Sequence, residues 1–97
     1  MKLERLEFSR TGGFAGLTLS TEVEHDDPEL AQVSGLLSGV DLPALATSTE
    51  PTAADRFIYL LVLETRESRY EVTIGERELP EPLEPVVRLL LDRARRR

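Results

Sequence analysis

The hydrophobic and polar positions of this chain fall into two repeating patterns. Over residues 3–9, Leu6 and Phe8 share one face with Glu4, while Leu3 and Arg5 point the other way, an imperfect alternation that predicts a strand. Leu17, Leu19, Thr21 and Val23 then alternate with Thr18, Ser20, Glu22 and Glu24, the period of two expected of a strand with one buried face. The two strands should pair as an antiparallel hairpin.

His25-Asp26-Asp27-Pro28-Glu29 reads as a helix start: Asp27 caps, Pro28 suits the first helical position, and Glu29 favours the positive end of the helix dipole. Leu30, Val33, Leu36 and Leu37 follow at helical spacing. Gly39 is placed to close the helix in a left-handed cap, and Gly35 weakens it from within. Residues 40–55 show little period; Pro43, Pro51 and Ala46-Thr47-Ser48-Thr49-Glu50 predict a long irregular loop whose first half is pinned by Leu42 and Leu45.

The run Phe57-Ile58-Tyr59-Leu60-Leu61-Val62-Leu63 is apolar on both faces, as in a central strand. A polar turn, Thr65-Arg66-Glu67-Ser68, leads to Tyr70, Val72 and Ile74 alternating with Arg69, Glu71 and Thr73, a second hairpin ended by Gly75. Prolines 80, 82 and 85 stiffen the approach to a closing helix, in which Leu83, Val86, Val87, Leu90, Leu91 and Ala94 form an apolar stripe. Asp92 and the arginines of this helix are expected to face outward. The order is ββαββα: an α+β fold with a four-stranded antiparallel sheet from two hairpins and the C-terminal helix packed on it.

Composition narrows the function. Ninety-seven residues suffice for one domain, read as residues 1–97, with a single modest core. The absence of cysteine excludes a disulfide framework, thiolate zinc sites and cysteine nucleophiles. No segment has the apolar core of a secretory signal or the length of a membrane span, so a soluble cytoplasmic protein is expected, with no membrane partner. The net charge is −6 although Arg93, Arg95, Arg96 and Arg97 form a basic tail (residues 93–97). So acidic a body argues against nucleic acid, and the tail reads as complementing a helix dipole.

Candidate chemistry is sparse. His25 is the sole histidine, set in a polar link beside a helix cap, and reads as an exposed bystander. Glu76, Glu78, Glu81 and Glu84 lie on expected turns, with nothing to set two of them against an apolar pocket. No catalytic residue, metal site or cofactor is assigned, and an enzyme is not expected.

The stretch Arg10-Thr11-Gly12-Gly13-Phe14-Ala15-Gly16-Leu17 stands apart. It holds three of the chain's six glycines, yet it displays an aromatic and a leucine where most turns are polar. Its Gly12-Gly13 and Gly16 lack phosphate-loop spacing and are followed by a strand, so a phosphate cradle is excluded by context. Two readings stay open: Phe14 and Leu17 fold back to cap the end of the sheet, or they form a contact surface.

With the short strand before it, the alternating strand ending in Glu22-Val23-Glu24, the central hairpin and the proline-flanked last helix, this stretch resembles the emfourin family. These are small bacterial proteins that inhibit protealysin and related thermolysin-like metalloproteases. The resemblance spans nearly the whole chain, and its specific part is the Gly-Gly-Phe-Ala-Gly core at residues 12–16. It implies a proteinaceous inhibitor of a thermolysin-like zinc protease of the same organism, with Arg10, Gly12, Gly13, Phe14, Ala15, Gly16 and Leu17 as partner-binding residues. A monomer is expected. The alternative is a protein–protein interaction or dimerisation module, motivated by the doubly apolar strand at 57–63; a weaker third reading is a small-ligand carrier.

Overall fold

The computed structural model describes residues 3–12, 18–48 and 57–96. Two hairpins build one antiparallel sheet: β1 (Leu3–Gly12) with β2 (Leu19–Val23), and β3 (Phe57–Thr65) with β4 (Arg69–Gly75). β1 also pairs with β3, so the spatial order is β2-β1-β3-β4 and the two apolar-rich strands are central. Helices α1 (Pro28–Leu37), α2 (Leu42–Ser48) and α3 (Glu84–Arg95) lie between and after the hairpins. The fold is α+β, as expected, with the C-terminal helix packed on the sheet.

Register explains which residues are buried. Across the helix-covered face run the rows Val23–Leu6–Leu63–Tyr70 and Thr21–Phe8–Leu61–Val72, followed by Leu19–Arg10–Tyr59–Ile74. Leu6, Phe8, Val23, Leu61, Leu63, Val72 and Ile74 join Leu30, Val33, Leu37, Leu42, Leu83, Val86, Val87 and Leu90 in one core. α3 lies against β2, α1 against β1, and α2 against β4. Leu3 and Leu6, an odd number of residues apart, are both buried because the β1–β3 register shifts between Leu3 and Arg5. That bulge is the reason for the imperfect alternation, and it corrects the expectation that Leu3 points away from Leu6.

Three further expectations are corrected. First, 40–55 is not irregular throughout: residues 42–48 form α2. Asp41 Oδ1 accepts a hydrogen bond from the Ala44 N–H at 3.2 Å, supplying a cap, and Leu42 is buried in the core. The element order is thus ββααββα. Second, Gly39 is not a left-handed cap, since Gly12 is the glycine with positive φ among the described residues. Ser38 closes α1 by donating its Oγ–H to the Gly35 carbonyl at 2.8 Å, and the Val40 N–H reaches the Leu37 carbonyl at 3.0 Å. Third, Arg93 does not face outward.

Arg93 is a clamp. Its Nε donates to Thr21 Oγ1 (3.0 Å), Nη1 to Glu29 Oε1 (2.9 Å) and Nη2 to the Glu22 carbonyl (3.0 Å), with Asp27 Oδ2 2.7 Å from Nη2. One guanidinium fork therefore ties the last helix to the edge strand β2 and to the N-terminus of α1. Asp27 also caps α1 through the Glu29 N–H at 3.0 Å. The Glu22 carbonyl on an otherwise open strand edge is satisfied by this arrangement.

Candidate functional site

β1 runs three residues beyond its predicted end because β3 supports it: Arg10 lies opposite Tyr59, Thr11 opposite Ile58 and Gly12 opposite Phe57. Arg10, Thr11 and Gly12 are therefore strand, not loop, which corrects the boundary placed after Ser9. Gly12 carries φ 108°, a conformation in which an L side chain would be strained, and it is the last described residue of the strand. Gly13, Phe14, Ala15, Gly16 and Leu17 lie outside the described residues, as does the remainder of the connection at 49–56. Of the seven predicted contact residues, Arg10 and Gly12 are thus placed, two positions apart on the same strand.

Both are directed to the helix-covered side of the sheet, at the end of the core. The Arg10 guanidinium sits over the Phe57 ring, 4.4 Å from its centroid, an arrangement that contributes about 0.5–1 kcal/mol when partly exposed. Tyr59 is buried and stacks on Phe8, with ring centroids 6.1 Å apart and planes 21° from parallel. Burial raises the Tyr59 hydroxyl above its ordinary value; the positive charges of Arg10 and Arg95 act against that, and Glu76 with it. Aromatic rings and fixed charges thus gather beside the last described residues of β1. Phe57 and Tyr59 read in the sequence as ordinary core strand. Only the pairing register, which links residues about 45 positions apart, brings them to this end.

Among the described residues, the opposite face of the sheet carries no helix. Its rows are Thr11–Ile58, then Ser20–Ser9–Leu60–Thr73, then Glu22–Glu7–Val62–Glu71, then Arg5–Glu64–Arg69. Next to the first hairpin's end this face is uncharged; towards the other end it becomes an ion-pair lattice. Arg5 reaches Glu7 (3.0 Å), Glu22 (3.1 Å), Glu24 (3.1 Å) and Glu64 (3.6 Å), and Arg69 reaches Glu71 (3.1 Å). Between the two halves lies a shallow trough of about 420 Å³, floored by Ser9 and Ser20 and bordered by Leu60, Val62, Glu7 and Glu22. The doubly apolar strand is thereby explained: Tyr59, Leu61 and Leu63 feed the core, and Ile58, Leu60 and Val62 line the open face.

Elsewhere the depressions are open to solvent: about 490 Å³ between the start of α2 and the β3–β4 turn, and about 510 Å³ along α3 beside Leu89 and Leu91. A depression of about 250 Å³ between α2 and Pro80–Pro82 matches the position of the ligand-carrier reading, but lies below the usual ~300–1,000 Å³ of a small-molecule pocket. His25 is exposed. Among the described residues no three His, Cys, Asp or Glu side chains converge as a metal ion requires, and no helix is long and apolar enough to cross a membrane.

No curated protein and no solved structure matches this chain significantly. A family model, that of Emfourin, matches over residues 8–91.

Proposed function

The chain belongs to the emfourin family, which implies a protease-inhibitor role, and on that premise we propose that it blocks the active-site cleft of a thermolysin-like, protealysin-type zinc metalloprotease. The observation that carries this reading is the match over residues 8–91, which spans the glycine-rich segment. The geometry next to that segment supports it. β1 is paired on both sides up to Arg10, and Gly12 ends it with positive φ opposite Phe57, one row beyond the Arg10–Tyr59 pair. A well-held strand fixes the point from which the segment enters the cleft, which limits the ordering cost at that end.

In this mechanism residues 13–17 enter the cleft. Thermolysin-like enzymes favour a bulky apolar residue just after the bond they cut, and both Gly13-Phe14 and Gly16-Leu17 offer that pattern. Phe14 fills the apolar pocket, and the hairpin keeps the adjacent peptide bond out of attack geometry. The inhibitor performs no reaction of its own. Its target is a protease of the same bacterium, met in the cytoplasm.

The test is casein hydrolysis by purified protealysin or thermolysin, titrated with the wild type and with Phe14→Ala. A central aromatic anchor contributes about 2 kcal/mol or more, so the variant should inhibit about 30-fold less well while melting at the same temperature. Undiminished inhibition by a folded Phe14→Ala protein refutes insertion of this side chain. A dimerisation module is the second reading, favoured by the helix-free sheet face with its half-exposed Ile58 and Leu60; size-exclusion chromatography across a concentration series decides it.

A further inference from the structure

We propose that the open face of the sheet is a second part of the protease-binding surface, and that it receives a neutral patch of the protease together with a lysine or arginine beside it. This rests on the inhibitor reading above and says where, outside the glycine-rich segment, the partner is gripped.

The uncharged rows Thr11–Ile58 and Ser20–Ser9–Leu60–Thr73 begin beside Gly12, so they continue the surface from which residues 13–17 depart. Small side chains at Ser9 and Ser20 leave the shallow trough of about 420 Å³, a volume that can take a protruding side chain, with Leu60 and Val62 along one side. The next row supplies charge. Glu7 and Glu22 stand directly opposite each other across β1 and β2, and Glu71 stands two strands away beyond Val62. Like charges directly opposed on a sheet are unfavourable unless a cation serves both. Arg5 does so, but the same guanidinium also serves Glu24 and Glu64. Among the described residues of this face, Glu7, Glu22, Glu24, Glu64 and Glu71 share Arg5 and Arg69, leaving an excess of negative charge at the edge of the trough.

That excess selects the occupant. Among the described residues of this face, a second copy laid face to face brings no unengaged cation, because Arg5 and Arg69 already sit within their own lattice. Its carboxylates would be desolvated against carboxylates or against serine and leucine, at a cost nothing repays. A partner that presents an apolar or hydroxyl-bearing patch with a lysine or arginine one row further along the sheet satisfies both halves. Its cation completes the Glu22–Glu7–Glu71 band, which speeds and orients encounter more than it strengthens the final complex.

The experiment compares the wild type, Ser20→Arg and Glu71→Lys as inhibitors of protealysin and thermolysin, with melting temperatures and solution mass measured on each. Ser20 is exposed on the edge strand, so its arginine fills the trough from within and should weaken inhibition about tenfold or more without lowering the melting temperature. Glu71 is exposed and outside the trough, so Glu71→Lys should slow association severalfold and flatten its dependence on salt, and it keeps the proposal testable should Ser20→Arg fail to fold. If both folded variants inhibit within twofold of the wild type, the open face is not part of the surface, although the inhibitor reading stands. If the wild type inhibits neither protease, both readings fall. A wild-type dimer dispersed by Ser20→Arg assigns the face to self-association and overturns the proposal as well.

Discussion

Replacement of Arg93 by alanine tests the claim that the basic C-terminal turn is structural. The side chain is only 20% exposed and makes four polar contacts between 2.7 and 3.0 Å, to Asp27, Glu29, Thr21 and the Glu22 carbonyl. A fully exposed ion pair contributes about 0–1 kcal/mol, whereas a hydrogen bond to a charged group contributes about 1.5–3 kcal/mol. Arg93 lies between these limits. Its removal leaves Asp27 and Glu29 as neighbouring carboxylates with only Arg96, 3.5 Å from Glu29, in partial compensation, and leaves the Thr21 hydroxyl, 2% exposed, without this donor. Together these place the loss at about 2–3 kcal/mol, which for a chain of this size lowers the melting temperature by about 10–20 °C. Arg93→Lys keeps one cation but loses the fork, so about half of that loss should remain. Urea and thermal unfolding followed by circular dichroism measure both. An Arg93→Ala protein within 0.5 kcal/mol or so of the wild type, inside the scatter of ordinary surface substitutions, would show that the contacts are incidental.

Two further outcomes follow from the same helices. The Asp27 carboxyl is held below the usual carboxylate range, first by the Glu29 N–H and then by Arg93, with burial acting against them. A depressed folded value means that the stabilisation is complete above the unfolded value, about 4, and is lost as pH falls through the lower folded one. Urea midpoints should therefore drop more steeply below about pH 4 in the wild type than in Asp27→Asn, which keeps a capping oxygen but has no charge to lose; parallel curves would contradict this. Gly35 is exposed inside α1, and a Cβ there meets nothing within 4 Å. Gly35→Ala should stabilise by up to about 1 kcal/mol and raise the melting temperature by about 4–8 °C, and no rise in a thermal scan would indicate an unseen cost at this position.

What was legible in the sequence follows from which forces act locally. Both hairpins and α3 were readable because the period of burial is written into consecutive residues: Tyr70, Val72 and Ile74 on one strand, Leu83, Val86, Val87, Leu90 and Ala94 on one helix stripe. The helix α2 escapes a reading by periodicity because its residues are weakly periodic, yet the sequence carries a signal for it. Asp41 followed by Pro43 repeats the cap-and-proline grammar read correctly at Asp27-Pro28, and alanines and leucines follow it. In the sequence Arg93 reads as outward because it belongs to a basic run. Position 93 nevertheless follows Leu90 by three and precedes Ala94, so it borders the apolar stripe and does not oppose it. The partners that draw it inward, Thr21 and Glu29, are 72 and 64 residues away, and no local pattern reveals them.

The same division runs through the functional surface. The glycine-rich segment announced itself by composition, since an aromatic among glycines is conspicuous in any window of eight residues. The open face did not, because its trough exists only when Ser9, Ser20 and Leu60, each unremarkable on its own strand, are brought into one row by the register of three strands. Register in turn depends on the core: a slip of one residue between β1 and β2 would turn Thr21 and Val23 outward and place Glu22 over Phe8. Arg93 opposes that slip, since its hydrogen bonds to Thr21 Oγ1 and to the Glu22 carbonyl require Thr21 to face α3 while the Glu22 carbonyl points to the strand's outer edge. The clamp at one end of β2 therefore maintains the alignment of Ser20 with Ser9 and of Arg10 with Leu19 at the other. The proposed binding surface is thus a product of pairing enforced from the opposite layer, and on that proposal a variant that loosens Arg93 should weaken inhibition without altering any residue of the surface itself.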